Sequence, residues 1–165
     1  MPFYLPKEIY SSVEDIDYDG LWQKGIRYLI FDIDETLIPR DEHIITPSLL
    51  AFVENLKAKG FELFLLSNSR HPLRVKDFAR ILDAPYGFLS FKPLPFGFWR
   101  ALEQMRAPAN RTAMIGDQLF MDVIGGNWAG LYTVYVRPKT PEIYFPRQMM
   151  RDAENWILGR SFPED

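Results

Sequence analysis

Two acids, Asp32 and Asp34, follow directly on the apolar run Tyr28-Leu29-Ile30-Phe31. A short continuous apolar run of this kind reads as a buried strand of a parallel sheet. Side chains alternate along a strand, so the two carboxylates point the same way, roughly 6–7 Å apart. Two such groups at the end of a buried strand repel one another. They coexist if a cation sits between them or one of them holds a proton. Asp34 and Thr36 also suit a plain turn, since short polar side chains favour turns.

Further polar residues stand at the ends of later apolar runs. Ser67 and Asn68 follow Phe61-Glu62-Leu63-Phe64-Leu65-Leu66, Lys92 follows residues 87–91, and Asp117 and Asp122 follow Thr112-Ala113-Met114-Ile115. Each has an ordinary alternative: Ser67 or Ser69 as a helix cap, Lys92 as a surface lysine, Asp117 as an N-cap, Asp122 as a first-turn acid favoured by the helix dipole. Together, several carboxylates, one lysine and one hydroxyl describe a phosphate site built on a hard cation. Magnesium takes oxygen ligands and bridges one or two carboxylates to a phosphate. It polarises the phosphoryl group, and a carboxylate can then attack as nucleophile. Lysine and hydroxyl stabilise charge on the transferring oxygens.

The elements that must carry these residues alternate between strand and helix. Thr46 caps a helix that begins at Pro47 and ends near Gly60, with Leu49, Leu50, Val53 and Leu56 as its apolar stripe. Helices are expected over 72–82, over 95–105 and from Leu119 to Trp128, and a last core strand over 131–136. A tail helix over 146–158 places Met149, Met150, Ala153, Trp156 and Ile157 inward, and Arg147, Arg151, Asp152 and Glu154 outward. The pattern predicts an α/β fold, a Rossmann-like parallel sheet sandwiched by helices, with ligands at the carboxyl ends of the strands. Residues 1–165 form one domain in this reading. Residues 1–27 are an arm whose Tyr10, Tyr18 and Trp22 pack on the core, and 141–165 are a helical tail.

The chain has 165 residues, no cysteine and a net charge of −3. Thiol catalysis and zinc–thiolate sites are excluded, and nothing in the charge suggests nucleic-acid binding. No apolar stretch approaches the roughly 18 residues of a membrane span, and the start lacks signal-peptide character. The expected location is cytoplasmic, with the inner face of a membrane as the other reading.

Asp32-Ile33-Asp34-Glu35-Thr36, Ser67, Lys92 and Gly116-Asp117…Asp122 occur in the order of the haloacid dehalogenase superfamily motifs, which the chain resembles. The resemblance implies Asp32 as nucleophile and Asp34 as the acid that protonates the leaving oxygen and later activates water. It implies a magnesium ion held by Asp32, the main-chain carbonyl of Asp34 and Asp117. Ser67 would bond the phosphoryl group, Lys92 brace Asp32 and the phosphate, Asp122 orient Lys92 or the metal shell, and Thr36 fix the turn. Thr36 and Asn68 count with Ser67 and Lys92 among the substrate-side residues.

The segments Lys92-Pro93-Leu94, Ile115 to Asn127 and Gly130 to Thr133 are similar to the YqeG family of class IIIA phosphatases. That family is in turn similar to phosphatidylglycerophosphate phosphatases. The implied reaction removes the terminal phosphate of phosphatidylglycerophosphate. Glu35 departs from the family, which commonly has Asn there. About 30 residues separate Thr36 from Ser67 and about 25 separate Ser67 from Lys92. Core elements use both intervals, which leaves no room for a cap domain, so the site is expected to be open. A phosphatase of small soluble esters fits the same residues. A phospho-acceptor signalling module fits less well, because its acceptor acid follows the third strand. Arg147 and Arg151 beside Met149, Met150 and Trp156 admit peripheral membrane contact, against packing of that helix on the sheet. His43 and His71 match no motif and are read as structural or substrate-side.

Overall fold

Alternate residues of the central strand face opposite sides of one parallel sheet. Leu29 and Phe31 join one apolar core, and Ile30 joins another. The computed structural model describes residues 2–161. Its strands are β1 (Glu8–Tyr10), β2 (Tyr28–Phe31), β3 (Glu62–Leu66), β4 (Tyr86–Gly87), β5 (Thr112–Gly116) and β6 (Tyr132–Val136). They form a six-stranded sheet in the order β1-β6-β5-β2-β3-β4. Every pairing is parallel, with Phe31 of β2 level with Leu65 of β3 and Ile115 of β5. All carboxyl ends therefore meet at one edge, as the strand–helix alternation predicts.

Helices cover both faces. Those following the first strands are α1 (Tyr18–Gln23), α2 (Pro47–Ala58) and α3 (Pro72–Leu82). Then come α4 (Phe96–Met105), α5 (Ile124–Trp128) and α6 (Phe145–Ser161). The larger core packs Val53, Leu56, Val75 and Phe78 on the Leu29–Phe31 side; the other packs Phe98, Ala101 and Met105 on Ile30, Phe64 and Met114. Phe31, Phe64 and Phe98 are fully buried, each contributing about 1.5–3 kcal/mol of apolar transfer. α2 starts as expected: the Leu49 amide donates to Thr46 Oγ1 at 3.2 Å, and Pro47 takes the first turn, where its missing N–H costs nothing. The intervals that a cap would need hold a loop, α2 and β3, and then α3 with β4.

The N-terminal arm docks through its aromatics. Tyr18 meets Phe52 and Phe61 edge-on with ring centroids at 5.8 and 6.1 Å, and Trp22 meets Phe61 at 5.2 Å. The arm also supplies β1, an unforeseen edge strand beside β6.

Three expectations are corrected. The strand expected over 87–91 stops at Gly87, because Leu89 (φ 48°) and Phe91 (φ 53°) adopt left-handed backbone that cannot continue a strand. The helix expected from Leu119 opens as a π-turn over Leu119–Val123 and becomes α-helical only at Ile124. Such turns often mark functional sites, and this one carries Asp122. In α6 the buried residues are Arg151, Glu154 and Leu158, whereas Met149, Ala153 and Trp156 are exposed and Met150 and Ile157 half-buried. A buried carboxylate, Asp117, draws Arg151 inward with Glu154 beside it, while Arg147 and Asp152 stay exposed as expected. Among the described residues no helix is long and apolar enough to cross a membrane.

Candidate active site

β2 ends at Phe31, and the chain turns sharply through Ile33–Ile38. Asp32 is still hydrogen-bonded into the sheet, its amide donating to Ile115 O at 3.0 Å. Leu37 and Ile38 amides return to Ile33 O at 3.0 and 3.3 Å. The turn requires left-handed backbone at Glu35 (φ 64°), a conformation that Asn adopts more readily than Glu. Glu35 is nevertheless held. Its carboxylate accepts from the Arg40 amide at 2.7 Å, the Thr140 amide at 2.7 Å and Thr140 Oγ1 at 2.8 Å. It is buried, and its charge goes to the segment after β6 rather than into the cleft.

Lys92 is the hub of the floor. Its Nζ donates to Asp32 Oδ1 at 2.7 Å, Asp122 Oδ1 at 2.6 Å and Leu66 O at 3.3 Å. Its loop is fixed from β3: the Lys92 amide donates to Asn68 Oδ1 at 2.9 Å and Asn68 Nδ2 returns to Lys92 O at 3.1 Å. Burial disfavours the ammonium charge, but Asp122 and Asp32 more than offset this and raise the lysine pKa. It stays a cation at neutral pH. Close approach of backbones makes room for this arrangement. A Cβ on Gly125 would sit 2.6 Å from the Phe98 ring and 2.9 Å from Pro93 O, and one on Gly116 would overlap the Asp122 carboxylate.

Asp117 lies fully buried beside this hub. Thr36 Oγ1 donates to its Oδ1 at 3.0 Å. Arg151 of α6 donates through Nη2 to its carboxylate and through Nη1 to its main-chain oxygen. Glu154 completes the group by accepting from the Phe120 amide at 3.1 Å and from Arg151 at 3.3 Å. Burial and the neighbouring Asp32 push the Asp117 carboxyl well above its ordinary range, against the pull of Arg151. Burial likewise raises Asp32, with Lys92 opposing and Asp122 adding to the rise.

One carboxylate oxygen from each of Asp32, Asp117 and Asp122 lies within 4.8 Å of the others. Asp32, Asp117 and Asp122, with Glu154 on the far side of Arg151, make four buried acids against the two cations Lys92 and Arg151, an excess of acid at a buried site. That donor set fits a hard divalent cation, which would offset the repulsion among the acids.

Asp34 stands outside this cluster. It pairs with Arg74 of α3, whose Nη2 also donates to the main-chain oxygens of Arg40 (3.2 Å) and Glu42 (3.0 Å). Burial raises the Asp34 carboxyl above its ordinary value, and Arg74 pulls it back. Asp32, Asp34, Ser67, Asn68 and Lys92 all line one open cleft of about 730 Å³, together with His43 and His71. Ser67 and Asp117 do not cap the helices that follow them, but Ser69 Oγ accepts from the His71 amide at 3.0 Å ahead of α3, and Asp122 is a first-turn acid that accepts from the Gln118 amide at 3.1 Å. α3 is capped at His71 without a side-chain bond, while Ser67 Oγ accepts from the Ser69 amide at 3.0 Å. The turn after Asp117 starts at Gln118. The structure adds Arg40, Arg74, Arg147 and Arg151 to the residues around the site. No periodicity marks them; Arg40 reads as a loop residue, and Arg74, Arg147 and Arg151 read as solvated positions on helices.

A family model described as haloacid dehalogenase-like hydrolase matches residues 38–130. The chain belongs to that family, and within it the chain is a phosphatase. It is 33% identical over 157 residues to a Bacillus subtilis protein named "Probable phosphatase YqeG", covering 95% of this chain and 91% of that protein. It is 29% identical over 160 residues to the chloroplastic/mitochondrial phosphatidylglycerophosphate phosphatase 1 of Arabidopsis thaliana, over 90% of this chain and 46% of that one. The fold resembles the 4-nitrophenylphosphatase of Thermotoga maritima, with a TM-score of 0.58, 16% identity, and 78% and 91% of the two chains covered.

Proposed function

We propose that this phosphatase hydrolyses the terminal phosphomonoester of phosphatidylglycerophosphate, with magnesium, through a phosphorylated Asp32. The observation that carries the mechanism is the Asp32 carboxylate at the cleft floor, braced by Lys92 at 2.7 Å. The relatives that hydrolyse phosphatidylglycerophosphate by name support the lipid substrate.

The chemistry runs in two displacements. An Asp32 oxygen attacks phosphorus and the bond from phosphorus to the substrate glycerol oxygen breaks. Asp34 gives its proton to that leaving oxygen. Water then attacks the phosphorus, Asp34 takes its proton, and the bond to Asp32 breaks to release inorganic phosphate. Lys92 holds Asp32 in line and meets the charge on the phosphoryl oxygens, and Ser67 donates to them. Asn68 keeps the Lys92 loop in place. Asp32, the Asp34 main-chain carbonyl and Asp117 would hold magnesium, which supplies Lewis-acid polarisation of the phosphoryl group when bound. Thr36 and Arg151 hold Asp117, and Asp122 holds Lys92. Arg74 must let go of Asp34 for that carboxyl to reach the leaving oxygen.

A phosphatase of small soluble esters is the competing reading. Phosphate release from micellar phosphatidylglycerophosphate and from a panel of soluble esters separates the two. Preference for the lipid by at least about tenfold in kcat/KM supports the proposal. Activity confined to soluble esters removes the lipid and leaves the mechanism.

A further inference from the structure

We propose that Arg74 is a specificity switch: it holds Asp34 out of use until a second anionic group of the substrate takes over its guanidinium. This deepens the proposed reaction and rests on Asp34 being its acid.

Arg74 stands in the first turn of α3, and its guanidinium meets three separate parts of the chain. Nη1 donates to the Asp34 carboxylate, and Nη2 donates to the main-chain oxygens of Arg40 (3.2 Å) and Glu42 (3.0 Å). The Phe78 ring, one turn further along the helix, has its centroid 4.8 Å from Arg74 Cζ. Neither the two carbonyls nor the ring depends on Asp34. They keep the guanidinium at the cleft wall while Nη1 changes partner. Nε is buried without a hydrogen-bond partner among the described residues, so Arg74 does not use all of its donors in this arrangement.

The pair is largely withdrawn from water: the Arg74 and Asp34 side chains are 12% and 22% exposed. A guanidinium so placed does not give up its counter-ion without a replacement. Asp34, for its part, cannot turn a proton toward the leaving oxygen while it accepts from Nη1. Release of the acid is therefore tied to the arrival of another anion at Arg74. Both side chains line the cleft, so that anion enters with the substrate. The leaving oxygen must adjoin Asp34, and Arg74 already does. A phosphodiester three carbon atoms from the leaving oxygen, as in phosphatidylglycerophosphate, spans that step, and its oxygens suit a guanidinium fork. Binding energy from a remote charge is thus used to free the acid, which makes the second charge a condition of fast turnover.

The test is steady-state kinetics of the full chain, with magnesium, on two soluble alkyl phosphates. One is glycerophosphoglycerol phosphate, the deacylated headgroup with its phosphodiester. The other is glycerol 3-phosphate, which has no second anion. Neither carries acyl chains, so the result does not depend on lipid binding. Wild type is expected to favour the headgroup by at least about tenfold in kcat/KM. In Arg74→Met, kcat on glycerol 3-phosphate is expected to rise by about fivefold or more, because Asp34 is no longer held. KM for the headgroup should rise by about tenfold, because its second anion has lost a partner. A side chain that only supports the fold does not raise a rate when it is removed. If Arg74→Met does not fold, Arg74→Gln, which keeps an amide donor for the two carbonyls but no charge, is expected to show both changes. A glycerol 3-phosphate rate that stays level or falls in the folded variant overturns the switch. So does an unchanged headgroup KM, or a wild type with no preference for the headgroup. Asp34→Asn tells this failure from failure of the reaction beneath it. Turnover of glycerol 3-phosphate by Asp34→Asn at the wild-type rate removes the acid and the switch with it. Loss of that turnover, with no gain in Arg74→Met, removes the switch and leaves the acid.

Discussion

Arg151, on the last helix, donates to both the carboxylate and the main-chain oxygen of Asp117, a residue 34 positions earlier. This ties α6 to the end of β5 and holds one acid of the cluster in place. Breaking a buried pair by removing one partner costs about 3–5 kcal/mol, because the remaining charge stays buried. Arg151→Met is therefore expected to lower the unfolding free energy from urea titration by an amount in that range, with the midpoint falling in proportion. Magnesium should restore more stability to this variant than it adds to wild type, because the cation replaces the lost positive charge beside Asp117. Equal magnesium stabilisation of both proteins in thermal unfolding would contradict this account.

Gly116 makes the approach of Asp122 to Lys92 possible. Gly116→Ala places a methyl group where the Asp122 carboxylate lies, and Asp122→Ala leaves Lys92 with Asp32 as its sole carboxylate partner. Both variants are expected to lower kcat by about tenfold to a hundredfold with a smaller change in KM, since each acts through the position of Lys92. Steady-state kinetics on a soluble ester provides the check.

Glu35 spends its charge on Arg40 and Thr140 rather than on the site. Glu35→Asn keeps left-handed backbone readily but gives up those hydrogen bonds. A net change within about 1 kcal/mol is expected, with kcat unchanged. Glu35→Val, β-branched at a positive φ, is expected to lose at least about 2 kcal/mol. Denaturant unfolding of the pair separates backbone strain from lost hydrogen bonds.

β1 gives the fold an acid-sensitive edge. Burial raises the Glu8 carboxyl, but hydrogen bonds from Lys24, Tyr10 (2.6 Å) and Tyr132 (2.5 Å) outweigh it and hold the group below its ordinary 4.5. A lowered folded-state value means that the stabilisation is complete above the unfolded value and is lost as pH falls through the folded one. Amide exchange of β1, corrected for intrinsic rates, is expected to accelerate relative to β2 only below about pH 4.5. Glu8→Gln should remove that pH dependence.

Much of this was legible in the sequence. Apolar runs ending in polar residues placed β2, β3 and β5. A parallel sheet brings such ends together, so Asp32, Ser67, Lys92 and Asp117 could be expected at one edge before any coordinate was known. The Thr46-Pro47 start of α2 was legible because capping is local. What was hidden depends on distant partners. β1 is three half-buried residues whose partner strand begins at Tyr132, so no local periodicity announces it. Arg151 and Glu154 read as the solvated side of an amphipathic helix until Asp117 is placed opposite them. The truncation of β4 follows from left-handed backbone at Leu89 and Phe91, residues whose types favour strand. Arg74 shares α3 with inward Val75 and Phe78, and only the fold brings it to Asp34.

The central claim is that Asp32 takes the phosphoryl group. The direct measurement is acid-quenched single turnover with phosphatidylglycerophosphate and magnesium, followed by mass spectrometry of the peptide containing Asp32. The account expects a phosphorylated Asp32 that forms and decays at rates compatible with turnover, and no phosphate release by Asp32→Asn. A full rate of release by Asp32→Asn, with no phosphorylated peptide in wild type, would contradict it.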